Sequence, residues 1–435
     1  MKKQFFAVVL FACCWCFAQE YRLEVKSDRH WNLKINEKVH FTARLLYRKN
    51  SGEKFQELTG RKLLCVVNND GLKVSEKTLL SGKDCGIVSS LPHPGWINVK
   101  FTLLDDSGKK FEYKDKKGTK KQVSASIGAL VEPEKLKPGT KKPDDFDAFW
   151  DEQRRILDKV PMKAQLTEVE PSPRQKGKFH CYDVQITCAG DMPVSGYLCV
   201  PRNAKPKSLP AVVSFHGAGV RSSYKSISLT PALYFDVNSH GIPNGKPKKY
   251  YDSLSKKELY AYWYRNANDR EKYYFRGIFF RAMRALDYIK SRPEWNGKVL
   301  IVTGSSMGGA QSLGAAALDP QVSHCVVAVP ALMDHYGSLA EIPRAPGWPR
   351  FFDVRRRKAD PGRFKTAAYY DNVFMADRIK CKVYLTAGLD DGVCVPTSIY
   401  VLYNQLPEKN RSIEIYPTGK HSTSHSKVKI FQLLK

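Results

Sequence analysis

Residues 299–308 read Val299-Leu300-Ile301-Val302-Thr303-Gly304-Ser305-Ser306-Met307-Gly308, and the small-residue stretch Gly309 to Ala317 follows. An apolar run of strand length thus meets a G-x-S-x-G turn, and a helix leaves it. In that context the glycines let strand and helix approach closely, and the sharp turn carries the Ser306 hydroxyl clear of the sheet. The helix N-terminus behind it offers unpaired N–H groups and a favourable dipole to a developing oxyanion. Ser306 is the candidate nucleophile.

Similar buried runs occur at Ala211 to Phe215, Leu233 to Val237, Cys325 to Val329 and Val383 to Ala387. Helical stretches at Phe279 to Ile289 and Pro396 to Leu406 fall between such runs. This alternation predicts a mostly parallel sheet covered by helices on both faces. Upstream, Tyr182, Val184, Ile186 and Cys188 alternate with polar residues as in a half-exposed strand. A helix opens at Asp144-Asp145, after Pro143, with Phe146, Phe149, Trp150, Ile156, Leu157 and Val160 on one face. The text before it differs. From Tyr21 to Ile127, short segments (Leu33 to Ile35, Val39 to Leu46, Leu63 to Val67, Trp96 to Leu103) are split by Asn, Gly, Pro and Lys clusters, which predicts a small all-β, Ig-like sandwich. Val131 to Pro143 reads as a linker. The expected divisions are 1–18, 19–128 and 129–435. The β-domain carries no recognisable chemistry, so its default role is a spacer or docking module. Trp31 and Trp96 suggest a sugar platform, but core packing is the expectation for such rings.

Residues 1–18 read as a secretory signal peptide: Met1-Lys2-Lys3-Gln4 is basic, Phe5 to Phe17 is apolar, and cleavage is expected after Ala18. A lipoprotein site at Leu10-Phe11-Ala12-Cys13 fits less well, because of Phe11 and the short run before it. No later run reaches the roughly 18 apolar residues of a membrane span. The chain carries 71 Lys+Arg against 43 Asp+Glu, a formal charge of +28, which attracts polyanions. Secretion and the absence of any basic, aromatic-interleaved motif argue against nucleic acid. A solvated basic surface is expected, with an acidic glycan matrix as the sharper alternative. Eight of the 11 cysteines lie beyond the leader, too few for a disulfide framework. Cys181, Cys188, Cys199, Cys325 and Cys381 read as buried thiols, and Cys65 with Cys85 as the one pair to consider for a disulfide.

A serine hydroxyl needs a base, and the base needs an orienting carboxylate. Both should follow later strands. Val383 to Ala387 ends in Gly388-Leu389-Asp390-Asp391, which offers the acid, and Ile413 to Tyr416 leads through Pro417-Thr418-Gly419-Lys420 to His421, which offers the base. His425 is the competing histidine. A zinc pair of His421 and His425 lacks a third ligand, so neither metal nor cofactor is expected. His216-Gly217-Ala218-Gly219 follows the strand Ala211 to Phe215, where a second oxyanion donor is placed. The expected donors are the backbone N–H groups of Ala218 and Met307, with the His216 side chain holding the loop.

These motifs resemble the acetyl xylan esterase / cephalosporin-C deacetylase family, the seventh carbohydrate esterase family, over about Ile127 to the C-terminus. The likeness includes Asp145 to Trp150, the His216-Gly217 loop, Tyr274-Phe275-Arg276-Gly277, Arg284-Ala285-Leu286-Asp287 and Gly304 to Gly309. Gly388-Leu389-Asp390-Asp391-Gly392-Val393-Cys394-Val395-Pro396 is similar to the family's G-L-x-D-x-V-x-P-P, and that register places the acid at Asp391. The resemblance implies an α/β-hydrolase fold and a secreted or periplasmic serine esterase. It implies removal of acetyl groups from oligo- or polysaccharides. A different α/β hydrolase (a peptidase or a dienelactone-type enzyme) and a non-catalytic glycan binder are the alternatives. The chain departs from the family in four places. Asn238-Ser239-His240 replaces R-G-Q, Met307 replaces Gln, His421-Ser422 replaces H-E, and Ala218 replaces an aromatic. Met307 is expected to add a flexible apolar wall to the acyl pocket.

Overall fold

The computed structural model describes residues 20–50, 52–114, 118–353, 358–422 and 426–434. The leader expected at residues 1–18, and His425, lie outside these. Among the described residues no helix is long and apolar enough to cross a membrane.

Among the described residues the N-terminal part packs a four-stranded and a five-stranded sheet around one core and adds a two-stranded pair, Glu112–Lys114 with Lys120–Gln122. Strand Val39–Arg48 buries Val39, Phe41, Ala43 and Leu45 in strict alternation, and strands Lys62–Asn69 and Gly95–Leu103 bring Leu63, Cys65, Val67, Val99 and Phe101 to the same core. A period of two with one face buried is what fixes strand register. The five-stranded sheet runs in the order Asn32–Leu33, Ser124–Val131, Gly95–Leu103, Lys62–Asn69, Leu72–Leu80. Its last strand in sequence reaches Val131. The strand expected at Leu33 to Ile35 stops at Leu33, because Glu37 N–H bonds Lys34 O in a turn and Asn36 takes φ +62°. Cys65 and Cys85 are buried but free thiols. The sulfurs that approach across a strand pair are instead those of Cys181 and Cys199, 3.0 Å apart as thiols. Trp96 is 4% exposed and is no sugar platform, and Trp31 packs against the core of the following domain.

That following domain is built on a nine-stranded sheet, its strands here numbered within it: β1 (Ala164–Val169), β2 (Phe179–Ile186), β3 (Val194–Pro201), β4 (Leu209–Phe215), β5 (Leu233–Asn238), β6 (Trp295–Ser305), β7 (His324–Ala328), β8 (Lys382–Gly388) and β9 (Arg411–Tyr416). The spatial order is β1-β2-β3-β5-β4-β6-β7-β8-β9. The pairs up to β3–β5 are antiparallel, and all pairs beyond are parallel. This is the expected α/β-hydrolase architecture. Helices α1 (Phe146–Asp158), α2 (Lys248–Lys256), α3 (Tyr274–Ser291), α4 (Met307–Leu318), α5 (Pro361–Tyr369), α6 (Pro396–Gln405) and α7 (Ser426–Leu433) accompany the sheet. The interdomain segment is anchored, with Asn404 Nδ2 donating to the carbonyls of Pro133 and Leu136 at 2.8 and 2.9 Å.

Where α4 leaves β6, glycine is sterically required. A Cβ on Gly304 would lie 2.3 Å from the Gly308 carbonyl carbon, and one on Gly308 would lie 2.0 Å from Phe215 O. The backbones of β4, β6 and α4 meet at these points, so neither contact can relax by a side-chain rotation. Gly308→Ala is therefore expected to destabilise the domain by roughly 2–4 kcal/mol, read from its urea midpoint. An unchanged midpoint would show that the elbow tolerates separation.

Candidate active site

Ser306 stands between β6 and α4 with φ 57° and ψ −124°. A non-glycine residue held there is strained and persists only where its surroundings fix it. Its N–H bonds Ala328 O and its carbonyl accepts Ala310 and Ala331 N–H groups, each at 3.0 Å. The side chain is thereby directed at His421, whose Nε2 lies 3.0 Å from Ser306 Oγ. His421 Nδ1 is 2.9 Å from Asp391 Oδ2. A carboxylate only accepts, so Nδ1 carries the proton and Nε2 is free to accept the Ser306 O–H. Asp391 is fully buried, and its Oδ1 accepts Val393 N–H at 2.8 Å and Cys394 N–H at 3.0 Å. Both ring nitrogens of His421 are engaged in this way.

Asp390 turns to the other side. Burial raises its carboxyl above the ordinary range, against the lowering effect of Ser126 and Lys420. The structure thus brings Ser306, His421 and Asp391 together and leaves Asp390 out. Among the described residues no cluster of His, Cys, Asp and Glu could hold a metal ion.

The loop after β4 lies alongside. A Cβ on Gly217 would be 3.7 Å from Ser306 Cβ, so the loop that carries Ala218 passes beside the nucleophile at Gly217. Met307 opens α4, where the first N–H groups have no partner within the helix. Its side chain is fully buried and its Sδ accepts the Tyr262 O–H at 3.1 Å. Met307 is fixed packing, not the flexible wall expected from sequence.

The segment Asn238-Ser239-His240, which stands where the family has R-G-Q, proves to hold this loop. Ser239 N–H donates to His216 Nε2 at 3.1 Å, while His216 Nδ1–H donates to Gly217 O at 2.7 Å. His240 Nε2–H donates to Gly219 O at 3.2 Å, so its Nδ1 accepts the Tyr274 O–H at 2.9 Å. Behind them the buried Arg281 guanidinium donates twice to Ser239 O, at 3.0 and 2.8 Å. Sequence reading placed His216 in this role and missed His240, Tyr274 and Arg281. Arg281 is signalled by a charge within the apolar stretch Phe279 to Met283, while His240 and Tyr274 lie in segments already compared with the family.

The profile of the acetyl xylan esterase family matches residues 129–435. The chain belongs to that family. It is a carboxylic ester hydrolase of the serine type, as the family is. Acetyl esterase Axe7A of Xylanibacter ruminicola is 31% identical over 354 residues, covering 80% of this chain and 75% of that protein. Two solved structures share the fold: the acetyl xylan esterase of Paenibacillus sp. R4 (24% identity, TM-score 0.58) and acetyl xylan esterase 1 of Thermoanaerobacterium sp. JW/SL YS485 (22%, 0.55). Each covers 70% of this chain, with 98% and 96% of the solved chains matched. The esterase-family match thus begins at Ala129, within the last strand of the β-domain.

Burial gives the loop clamp a pH dependence. It pushes the His216 imidazole down to about 4, and His240 well below its ordinary value. The unfolded chain takes up a proton near pH 6.5 that folded His216 refuses until about pH 4. Stability is therefore full above pH 6.5 and falls as the pH drops towards 4. For His216 alone the loss between pH 7 and pH 5 is about 2 kcal/mol. Urea midpoints at the two pH values test this, with His216→Gln expected to show the shallower dependence. Equal slopes would place the titration elsewhere.

Proposed function

We propose that this chain removes acetyl and other short acyl groups from carbohydrates through a Ser306 acyl-enzyme. The observation that carries the reading is the unbroken hydrogen-bond chain from Ser306 Oγ through His421 to the buried Asp391 carboxylate. Its likeness over 80% of its length to a protein named an acetyl esterase supports the acyl group.

In this reading Ser306 Oγ attacks the ester carbonyl carbon while its proton passes to His421 Nε2. Asp391 keeps the imidazole in the productive tautomer and stabilises the imidazolium that forms. The carbonyl oxygen becomes an oxyanion between the N–H groups of Met307 and Ala218. Collapse breaks the bond to the alcohol oxygen, which leaves with the proton from His421. A water then attacks the acyl-enzyme, gives its proton to His421, and releases acetate as Ser306 regains its proton. Each step uses only groups of this chain and water, so no metal or cofactor is invoked. Residues 1–18 act as a signal peptide in this reading, placing the enzyme in the periplasm or outside the cell among acetylated oligo- and polysaccharides.

Ser306→Ala is expected to lower p-nitrophenyl acetate turnover by about ten-thousand-fold or more with the fold retained. Asp391→Asn should cost roughly a thousand-fold or more, and Asp390→Asn less than about ten-fold. The reverse ranking would sink the assignment of the acid. On acetyl, butyryl and octanoyl esters of one alcohol, rates should fall steeply beyond about four carbons. A preference for octanoyl would move the enzyme away from carbohydrate deacetylation.

A further inference from the structure

The β-domain meets the hydrolase domain at the two loops that carry Asp391 and His421. Trp96 Nε1–H and Asn98 Nδ2–H, both on strand Gly95–Leu103, donate to the Leu389 carbonyl at 3.1 and 3.0 Å. Leu389 lies two residues before Asp391. On the neighbouring strand, Gly128 N–H donates to Pro417 O at 2.9 Å, four residues before His421. Gly128 cannot carry a side chain, since a Cβ would fall 2.7 Å from both Leu389 Cβ and Leu389 O. Ser126 and Asn98 also act on the Asp390 carboxyl, favouring its charged form against the effect of burial.

The two loops are tied to each other as well. Leu389 N–H bonds Tyr416 O at 2.9 Å and Asp390 N–H bonds Gly419 O at 2.8 Å. They project beyond the ends of β8 and β9, and β9 is the edge strand of its sheet. The β-domain meets the loop after this edge strand through Gly128, and the loop after the inner strand β8 through Trp96 and Asn98. A carbonyl oxygen has two lone pairs, and both at Leu389 are taken by buried side chains of the β-domain. A spacer or docking module, the default reading of this domain from sequence, needs no such contact.

We propose that Trp96 and Asn98 are positioning residues for the esterase reaction: by pinning Leu389 they set the reach of Asp391, and through it of His421, towards Ser306. The proposal rests on the triad reading given above. Its mechanism is geometric. A small displacement of a reacting group can cost about a hundred-fold in rate without weakening substrate binding. Among the described residues no hydrogen bond joins Trp96 or Asn98 to Ser306 or His421, so their action runs through the loop.

The same two side chains line a junction cleft of about 230 Å³ with Asn68, Arg350, Asp390 and Gly392. A role in holding substrate there is the competing account.

The test uses the full-length protein with Trp96→Phe, which keeps an aromatic ring and deletes the N–H, and Asn98→Leu, which keeps the bulk and deletes the amide. Steady-state kinetics on p-nitrophenyl acetate and thermal midpoints are measured for both, with Asn98→Gln as the variant that retains an amide donor. The expected result is a fall in kcat of about 10- to 100-fold with KM changed less than about two-fold. Asn98→Gln should recover part of kcat, and the folded fraction should stay unchanged at the assay temperature. Should Asn98→Leu fail to fold, Trp96→Phe carries the test. A raised KM at constant kcat would overturn the proposal in favour of substrate contact, and unchanged kinetics in a folded variant would overturn it outright. Absence of turnover by the unaltered protein would instead overturn the esterase reading itself.

Discussion

A buried carboxylate governs the site. Asp391 is removed from water at the end of β8, and an ion so placed is costly unless every acceptor position is used. Three N–H groups meet it: two from the backbone that turns immediately after it, and one from His421. The first two fix the carboxylate to its own loop. The third transfers that fixity to the imidazole, sets its tautomer, and leaves Nε2 facing Ser306. The sheet, the elbow and the neighbouring domain can all be understood as devices that hold the two ends of this chain at one separation.

The two ends are held by different physics. On the serine side the constraint is steric, since β4, β6 and α4 approach so closely that only glycine fits at 304 and 308. The strained φ of Ser306 is maintained by that contact and by the hydrogen bonds of its own peptide groups. The loop bearing Ala218 is held by hydrogen bonds, through two buried imidazoles whose tautomers follow from the carbonyls they face. On the acid and base side the constraint comes from outside the domain, through Leu389 and Pro417. Pro417 follows the edge strand β9 and Leu389 follows β8 beside it, and the β-domain contacts both loops.

Much of this was legible from the amino-acid sequence. Fully buried parallel strands read as continuous apolar runs, so β4 to β8 and the elbow between β6 and α4 stand out. Ser306 and His421 follow from strand ends, and Asp391 follows once the register of Gly388 to Pro396 is set by family resemblance. Most of what stayed hidden shares one cause. The Trp96 and Asn98 contacts join residues about 290 positions apart in the chain, and no local period records them. The clamp of His240, Tyr274 and Arg281 is likewise tertiary, as is the approach of Cys181 to Cys199, which depends on the pairing of β2 with β3. Exposed β1 has no apolar alternation to betray it. The flexible wall inferred for Met307 failed because side-chain mobility depends on neighbours, and Tyr262 comes from a segment 45 residues away.

The central claim is that His421 and Asp391 make Ser306 the one activated nucleophile of the folded chain. The most direct measurement is covalent labelling with a fluorophosphonate, followed by peptide mass mapping of native and denatured protein. The account predicts a single adduct at Ser306 in the native protein, lost on denaturation and strongly slowed in Asp391→Asn. A native protein left unlabelled, or an adduct at any other residue, would contradict it.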